Sequence, residues 1–285
     1  MTEIVSRHRS RVFSLPGAPG QPLELAWGAA TDIGLRRTVN EDSVIAVPGM
    51  FAVADGLGGH AAGDVASDAA VGRLGQAARS RARRGGILQP RDVVEALAAA
   101  GADIAGASRG IAYGSGTTVT GVAVVEHVGV PALQVFNIGD SRVYRFRDHD
   151  LEQVTVDHSY VQDLVASGQI TPEEAEVHPD ANIITRALGF GDLPEVDRWV
   201  LHPLPGTRIL ACSDGLTREL TDSTIGILLG VGSGPEETAR SLVNAAVGAG
   251  GRDNVTVAVI DVLAAPSLPE AGGPPARALA DTGAY

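Results

Sequence analysis

The chain contains no lysine. All 22 of its basic residues are arginine, set against 34 aspartates and glutamates, for a formal net charge of −12. That balance argues against broad binding to nucleic acid or to an anionic membrane, both of which call for excess positive charge. It leaves room for a local arginine site, because the planar guanidinium fork suits phosphate. Cysteine is nearly absent as well. The single Cys212 excludes an internal disulfide framework and a multi-cysteine zinc site, and fits a reducing compartment. It sits in the apolar run 208–212, which reads as a buried strand, so packing is its expected role. Long hydrophobic runs are missing too. The longest candidate, around 119–135, is interrupted by Glu126 and His127, and no apolar stretch reaches 18 residues. Arg7, Arg9 and Arg11 precede no apolar segment of the kind a signal peptide needs. The expectation is a soluble, cytoplasmic protein with neither a membrane nor a nucleic-acid partner.

What is present is one large core. Residues 1–21 are arginine-rich and punctuated by glycine and proline, and read as a flexible N-terminal segment. Residues 264–285 are dominated by alanine, proline and glycine and read as a disordered tail. Between them, 22–263 shows no dividing linker and no internal repeat. The β-branched runs 23–29, 43–47, 51–54, 117–125, 133–137, 142–146, 199–202, 208–212 and 255–262 are strand candidates. Helical periodicity marks 61–83, 91–107, 159–167, 222–229 and 235–247, with Pro90 and Pro235 suited to first-turn positions. Strands outnumber helices and often follow one another directly. An α+β class with largely antiparallel sheets and helices outside them is expected.

Five separated stretches each set an aspartate beside a strand-like run: Asn40-Glu41-Asp42, Asp55-Gly56, Gly139-Asp140-Ser141, Ser213-Asp214-Gly215 and Asp253-Asn254. Acids at strand ends can converge on one point. At an effective dielectric of about 20, two carboxylates roughly 5 Å apart repel by about 3 kcal/mol. A cluster of four or five must therefore hold protons or bind hard metal ions, and metal is the preferred reading.

Each stretch has a plainer reading alone. Residues 31–43, with paired arginines upstream of paired acids, read as a salt-bridged loop. Residues 51–60 read as a strand ending in a glycine turn before a helix. That turn also matches the loose dinucleotide fingerprint at Gly56, Gly58 and Ala61. No acid about twenty residues on could grip a ribose, however, and Asp55 would face the pyrophosphate. Gly106-Ala107-Ser108-Arg109-Gly110 spells a serine-hydrolase elbow, but a helix precedes it where a strand is required.

In order along the chain, the motifs are Arg37-Thr38-Val39-Asn40-Glu41-Asp42, Asp55-Gly56-Leu57-Gly58-Gly59-His60 and Gly114-Ser115-Gly116-Thr117-Thr118. Then come Ile138-Gly139-Asp140-Ser141-Arg142, Asp157-His158-Ser159 and Ile184-Thr185-Arg186-Ala187-Leu188-Gly189. Cys212-Ser213-Asp214-Gly215-Leu216 and Gly251-Arg252-Asp253-Asn254-Val255-Thr256 complete the series. Together they resemble the metal-dependent protein phosphatases of the 2C type, most closely their bacterial branch, from about Ala26 to Val262.

The resemblance implies a four-layer α-β-β-α sandwich, two central antiparallel sheets flanked by helices, with a binuclear Mn²⁺ or Mg²⁺ site at one edge. It implies that Asp55 bridges two ions and that the Gly56 carbonyl completes one shell. Asp214 and Asp253 would ligate on one side, Asp42 would act mainly through bound water, and Asp140 with Asp214 would support a third ion. Arg37 would grip the substrate phosphate, leaving Arg36 at the surface. The implied activity is hydrolysis of phosphoserine and phosphothreonine in proteins by a metal-generated hydroxide. The implied partners are phosphorylated Ser/Thr proteins, including a Ser/Thr kinase, and the enzyme is taken as a monomer. The rival is a catalytically silent pseudophosphatase acting as an interaction module, and behind it a serine hydrolase using Ser108. One departure is Leu57, where animal members carry a histidine assigned as general acid. His60 is a substitute candidate, although helix-start packing is its preferred role. Residues 160–182 correspond to the family's flap, within which Thr171 reads as a helix cap ahead of Glu173 and Glu174.

Overall fold

The computed structural model describes residues 1–6, 9–15, 22–58, 62–109 and 114–266. Its elements run β1 (Glu3–Val5), β2 (Ser10–Phe13), β3 (Leu23–Asp32), β4 (Ser43–Val47), β5 (Met50–Ala54), β6 (Gly56–Leu57), α1 (Gly63–Arg83) and α2 (Pro90–Ala107). They continue with β7 (Gly116–Thr117), β8 (Val119–His127), β9 (Val130–Ile138), β10 (Arg142–Arg147), β11 (Asp150–Gln153), α3 (Tyr160–Ala166) and α4 (Pro172–Glu176). The last are β12 (Asp197–Leu201), β13 (Arg208–Cys212), α5 (Asp214–Thr217), α6 (Asp222–Gly230), α7 (Pro235–Ala249) and β14 (Val255–Ala264).

Two six-stranded sheets form the centre, ordered β1-β4-β5-β8-β9-β12 and β11-β10-β13-β14-β3-β2. The period of two along each strand divides its side chains between two cores. Along β5, Met50, Ala52 and Ala54 enter the core under α1 and α2, while Phe51 and Val53 enter the core between the sheets. Along β14, Ala258, Ile260 and Val262 face the inter-sheet core, while Val255, Val257 and Val259 pack with α6 and α7. The helices meet these faces through residues spaced three or four apart, such as Ala66, Ala70 and Leu74 on α1 or Leu242 and Ala246 on α7. The result is the expected helix–sheet–sheet–helix stack.

Most boundaries fall close to the expected ones, and β4 and β13 match 43–47 and 208–212. β4 and β8, the neighbours of β5, are both antiparallel to it, so the glycine turn after β5 belongs to no parallel βαβ unit. Thr171 caps α4 as read: its Oγ1 accepts the Glu174 N–H, and the Glu174 carboxylate accepts the Thr171 N–H. Within the segment expected to be flexible, β1 pairs parallel with β4 and β2 pairs antiparallel with β3. Both satisfy sheet edges that would otherwise leave backbone groups open, and Phe13 is buried in the process. The short α5 and β11, which pairs antiparallel with the expected strand β10, were also not anticipated, since four residues are too few to show a period.

Candidate metal centre

The topology brings the five acids to one edge of the sandwich. Ser43 is the register partner of Ala54, so Asp42 and Asp55 flank one rung of the first sheet. In the second sheet Cys212 pairs with both Val257 and Arg142. Asp214, just past β13, Asp253, just before β14, and Asp140, just before β10, therefore share an end. Two glycines permit the close approach. A Cβ at Gly56 would lie 2.3 Å from the Gly63 carbonyl oxygen, and one at Gly215 would lie 1.9 Å from that of Asn254. No larger residue fits either place.

Backbone and hydroxyl contacts hold the acids while leaving carboxylate oxygens free. The Asp55 carbonyl accepts the Thr118 N–H at 2.9 Å and the Thr117 hydroxyl at 2.8 Å. Ser213 stands in the N-cap position of α5, yet its hydroxyl is diverted across the sandwich to Asp42 Oδ2 at 2.8 Å and accepts the Thr256 N–H. Asn254 ties the loop before β4 in place: its Oδ1 accepts the Glu41 N–H, and its Nδ2 donates to the carbonyls of Ile33 and Val39.

The electrostatics are those of crowded, desolvated carboxylates. Burial, followed by the charges of Asp42, Asp214, Asp140 and Asp253, holds Asp55 well above the ordinary carboxylate range. Burial pushes Asp42 up to about 7 despite hydrogen bonds from Thr256 and Ser213. Burial and then Asp214 raise Asp140 to about 7 as well. Asp214 is raised by burial and by Asp253, against the opposing pull of Arg218.

The donor set fits a hard divalent cation. Asp42 Oδ1, Asp140 Oδ1 and Asp214 Oδ1 are buried oxygens without a hydrogen-bond partner, each on a different expected ligand. Orphaned buried acceptors call for a compensating cation or proton. Oxygen donors without a thiol or imidazole disfavour zinc or copper. Among the described residues, no three His, Cys, Asp or Glu side chains close into a finished ion shell as they stand. Asp214 and Asp253 are turned instead toward arginines: Arg218 to Asp214 at 2.5 Å, and Arg37 to Asp253 at 2.8 Å.

All seven residues singled out from sequence thus lie at or beside this edge, with Arg37 half exposed and Arg36 exposed. Leu57 lies in the β6–β7 ribbon. His60 lies outside the described residues. Ser108 caps the end of α2 and shares a hydrogen bond with Ser115 at 2.6 Å, so no nucleophile elbow exists there. Sequence reasoning missed Ser213 and Asn254 as braces and Arg218 as a cation within the cluster. For Arg218 a signal was available, since it stands four residues after Asp214, the spacing of a helical ion pair.

The protein phosphatase 2C family model matches residues 38–239. The serine/threonine protein phosphatase PstP of Mycobacterium tuberculosis is 41% identical over 246 residues, which make up 85% of this chain and 46% of PstP. The chain therefore spans about half the length of that relative. The protein phosphatase PhpP of Streptococcus pneumoniae is 36% identical over 239 residues, 81% of this chain and 95% of PhpP. The crystal structure of the PstP catalytic domain in complex with two manganese ions superposes with a TM-score of 0.74 at 38% identity, covering 85% of this chain and all of that one. Sequence and architecture agree, and the chain belongs to the protein phosphatase 2C family.

Proposed function

We propose that the chain is a metal-dependent phosphatase that hydrolyses phosphoserine and phosphothreonine in proteins. The observation that carries this reading is the set of orphaned, buried carboxylate oxygens of Asp42, Asp140 and Asp214 gathered around Asp55. The relatives' names as serine/threonine protein phosphatases, and the two manganese ions of the PstP structure, support it. The reading assigns catalysis to the body of the chain, residues 22–263.

Asp55 would hold two ions together, with the Gly56 carbonyl, Asp214 and Asp253 completing the inner set and Asp42 acting through water. Asp140 with Asp214 would serve a third ion. When bound, Mn²⁺ or Mg²⁺ supplies Lewis acidity, which lowers the pKa of water and neutralises charge on a phosphoryl group. Arg37, half exposed at the mouth, would grip two oxygens of the substrate phosphate and orient phosphorus for in-line attack. Leu57 offers no proton, so the leaving group takes one from elsewhere. Cytoplasmic location, a monomeric state, and phosphorylated kinases among the substrates complete the proposal.

The deciding experiment is phosphate release from a phosphothreonine peptide in EDTA and then in added Mn²⁺. Release that requires Mn²⁺ establishes the activity. No release from folded, metal-loaded protein would make the chain a binding module without turnover. Ser108→Ala should leave activity unchanged, since Ser108 touches none of these groups.

A further inference from the structure

Arg218 supplies positive charge at a point where no motif asked for it. It follows the one-turn helix α5, and its Nη2 lies 2.5 Å from Asp214 Oδ2. Its Nη1 lies 3.5 Å from Asp253 Oδ2, the oxygen that Arg37 also holds. The backbone of Arg218 is fastened at both ends: its N–H donates to the Asp214 carbonyl at 2.8 Å, and its own carbonyl accepts Arg252 Nη2 at 2.8 Å. The side chain is the more exposed part of the pair. It is 36% exposed, against 10% for Asp214, so the arginine has a path to solvent and the carboxylate does not.

The same two carboxylates belong to the expected ion shell. A carboxylate oxygen in a short salt bridge is not free to take a divalent ion, and a guanidinium beside that ion repels it. Losing the guanidinium without replacement would leave Asp214 poorly solvated and without its cation, beside an Asp253 held by Arg37 alone. Metal and Arg218 therefore compete for Asp214 and Asp253. We propose that Arg218 is a built-in, displaceable counter-ion that stabilises the metal-free fold and lowers the affinity of the site for divalent ions. It would set the ion concentration at which the centre fills. This inference rests on the metal-binding reading of the site.

The test uses the full chain stripped with EDTA and dialysed, then titrated with Mn²⁺ by calorimetry and melted without Mn²⁺, as wild type, Arg218→Met and Arg218→Lys. The methionine variant should melt lower than wild type yet bind Mn²⁺ more tightly. An increase of about tenfold corresponds to a salt bridge closed in roughly nine molecules of ten. Arg218→Lys, which retains the charge, should stay near wild type. Should the methionine variant fail to fold, Arg218→Gln carries the same expectation. A role in packing alone would lower stability and affinity together. Mn²⁺ affinity that is unchanged or weaker in the charge-free variants would therefore overturn the proposal. Absence of Mn²⁺ uptake by the wild type would remove the metal reading itself, and this inference with it.

Discussion

Asn254 Oδ1 accepts the Glu41 backbone N–H at 2.9 Å, so the residue beside Asp253 holds the loop that carries Asp42. The same side chain donates to Ile33 O at 2.9 Å and Val39 O at 3.1 Å. Two acids more than 200 positions apart are thereby fixed by one amide. Asn254→Ala breaks all three bonds and leaves part-buried backbone groups unpaired. It should cost about 1–3 kcal/mol, read by urea unfolding, and should weaken Mn²⁺ binding in a parallel titration.

Asp55→Ala should abolish turnover, because the acid expected to hold both ions is gone. Near-normal activity in that variant would sink the assignment. The same substitution should raise the melting temperature of the metal-free protein at pH 7.5, because burial and the charges of Asp42, Asp214, Asp140 and Asp253 disfavour the ionised form that the Asp55 side chain takes freely in the unfolded chain. Opposite effects on stability and activity would mark a site in which fold stability is given up for function.

The metal-free protein should lose stability as pH rises. Asp42 and Asp140 sit at about 7 in the folded state, against about 3.9 for an ordinary aspartate. A raised folded pKa gives stability that is complete below the unfolded value and disappears as pH passes the folded one. The window is therefore about pH 4 to 7. His158, held below its ordinary value by burial, acts in the opposite sense. The useful comparison is wild type against Asp140→Asn in EDTA, where the wild type should show the steeper decline in melting temperature. Identical slopes would count against the shifted Asp140. Added Mn²⁺ should stabilise the wild type more at pH 7.5 than at 5.5, since ligands must lose their protons to bind.

Arg37→Ala should raise KM for a phosphothreonine peptide by about ten- to a hundredfold, the worth of charge-assisted hydrogen bonds, with a smaller change in kcat. Steady-state kinetics over a range of peptide concentrations separates the two. An unchanged KM would shift the role to Arg36 or another group.

Local chemistry made much of this legible. The runs 43–47 and 208–212 are apolar and bounded by acids or turn residues, so their strand ends could be read directly, and Asp42 and Asp214 fall just outside them. Thr171 with Glu174 at the third helical position carries its cap in four residues. β1 and β2 were not legible, because Glu3–Val5 and Ser10–Phe13 are too short to show a period and form only against the edges of β4 and β3. The roles of Ser213 and Asn254 were hidden for a related reason. Either residue reads locally as a cap or a turn, and its partner lies across the fold.

The sequence by itself determined the alternation that sorts side chains into three cores, the order of the acidic motifs, and therefore the family. Those properties depend on neighbouring residues and on composition. Only the tertiary structure decided which oxygens are orphaned, which acids are pushed toward neutral pH, and that Arg37 and Arg218 share Asp253. Burial and Coulomb energy depend on distance through space, and the chain sets those distances only when both sheets close on the same edge.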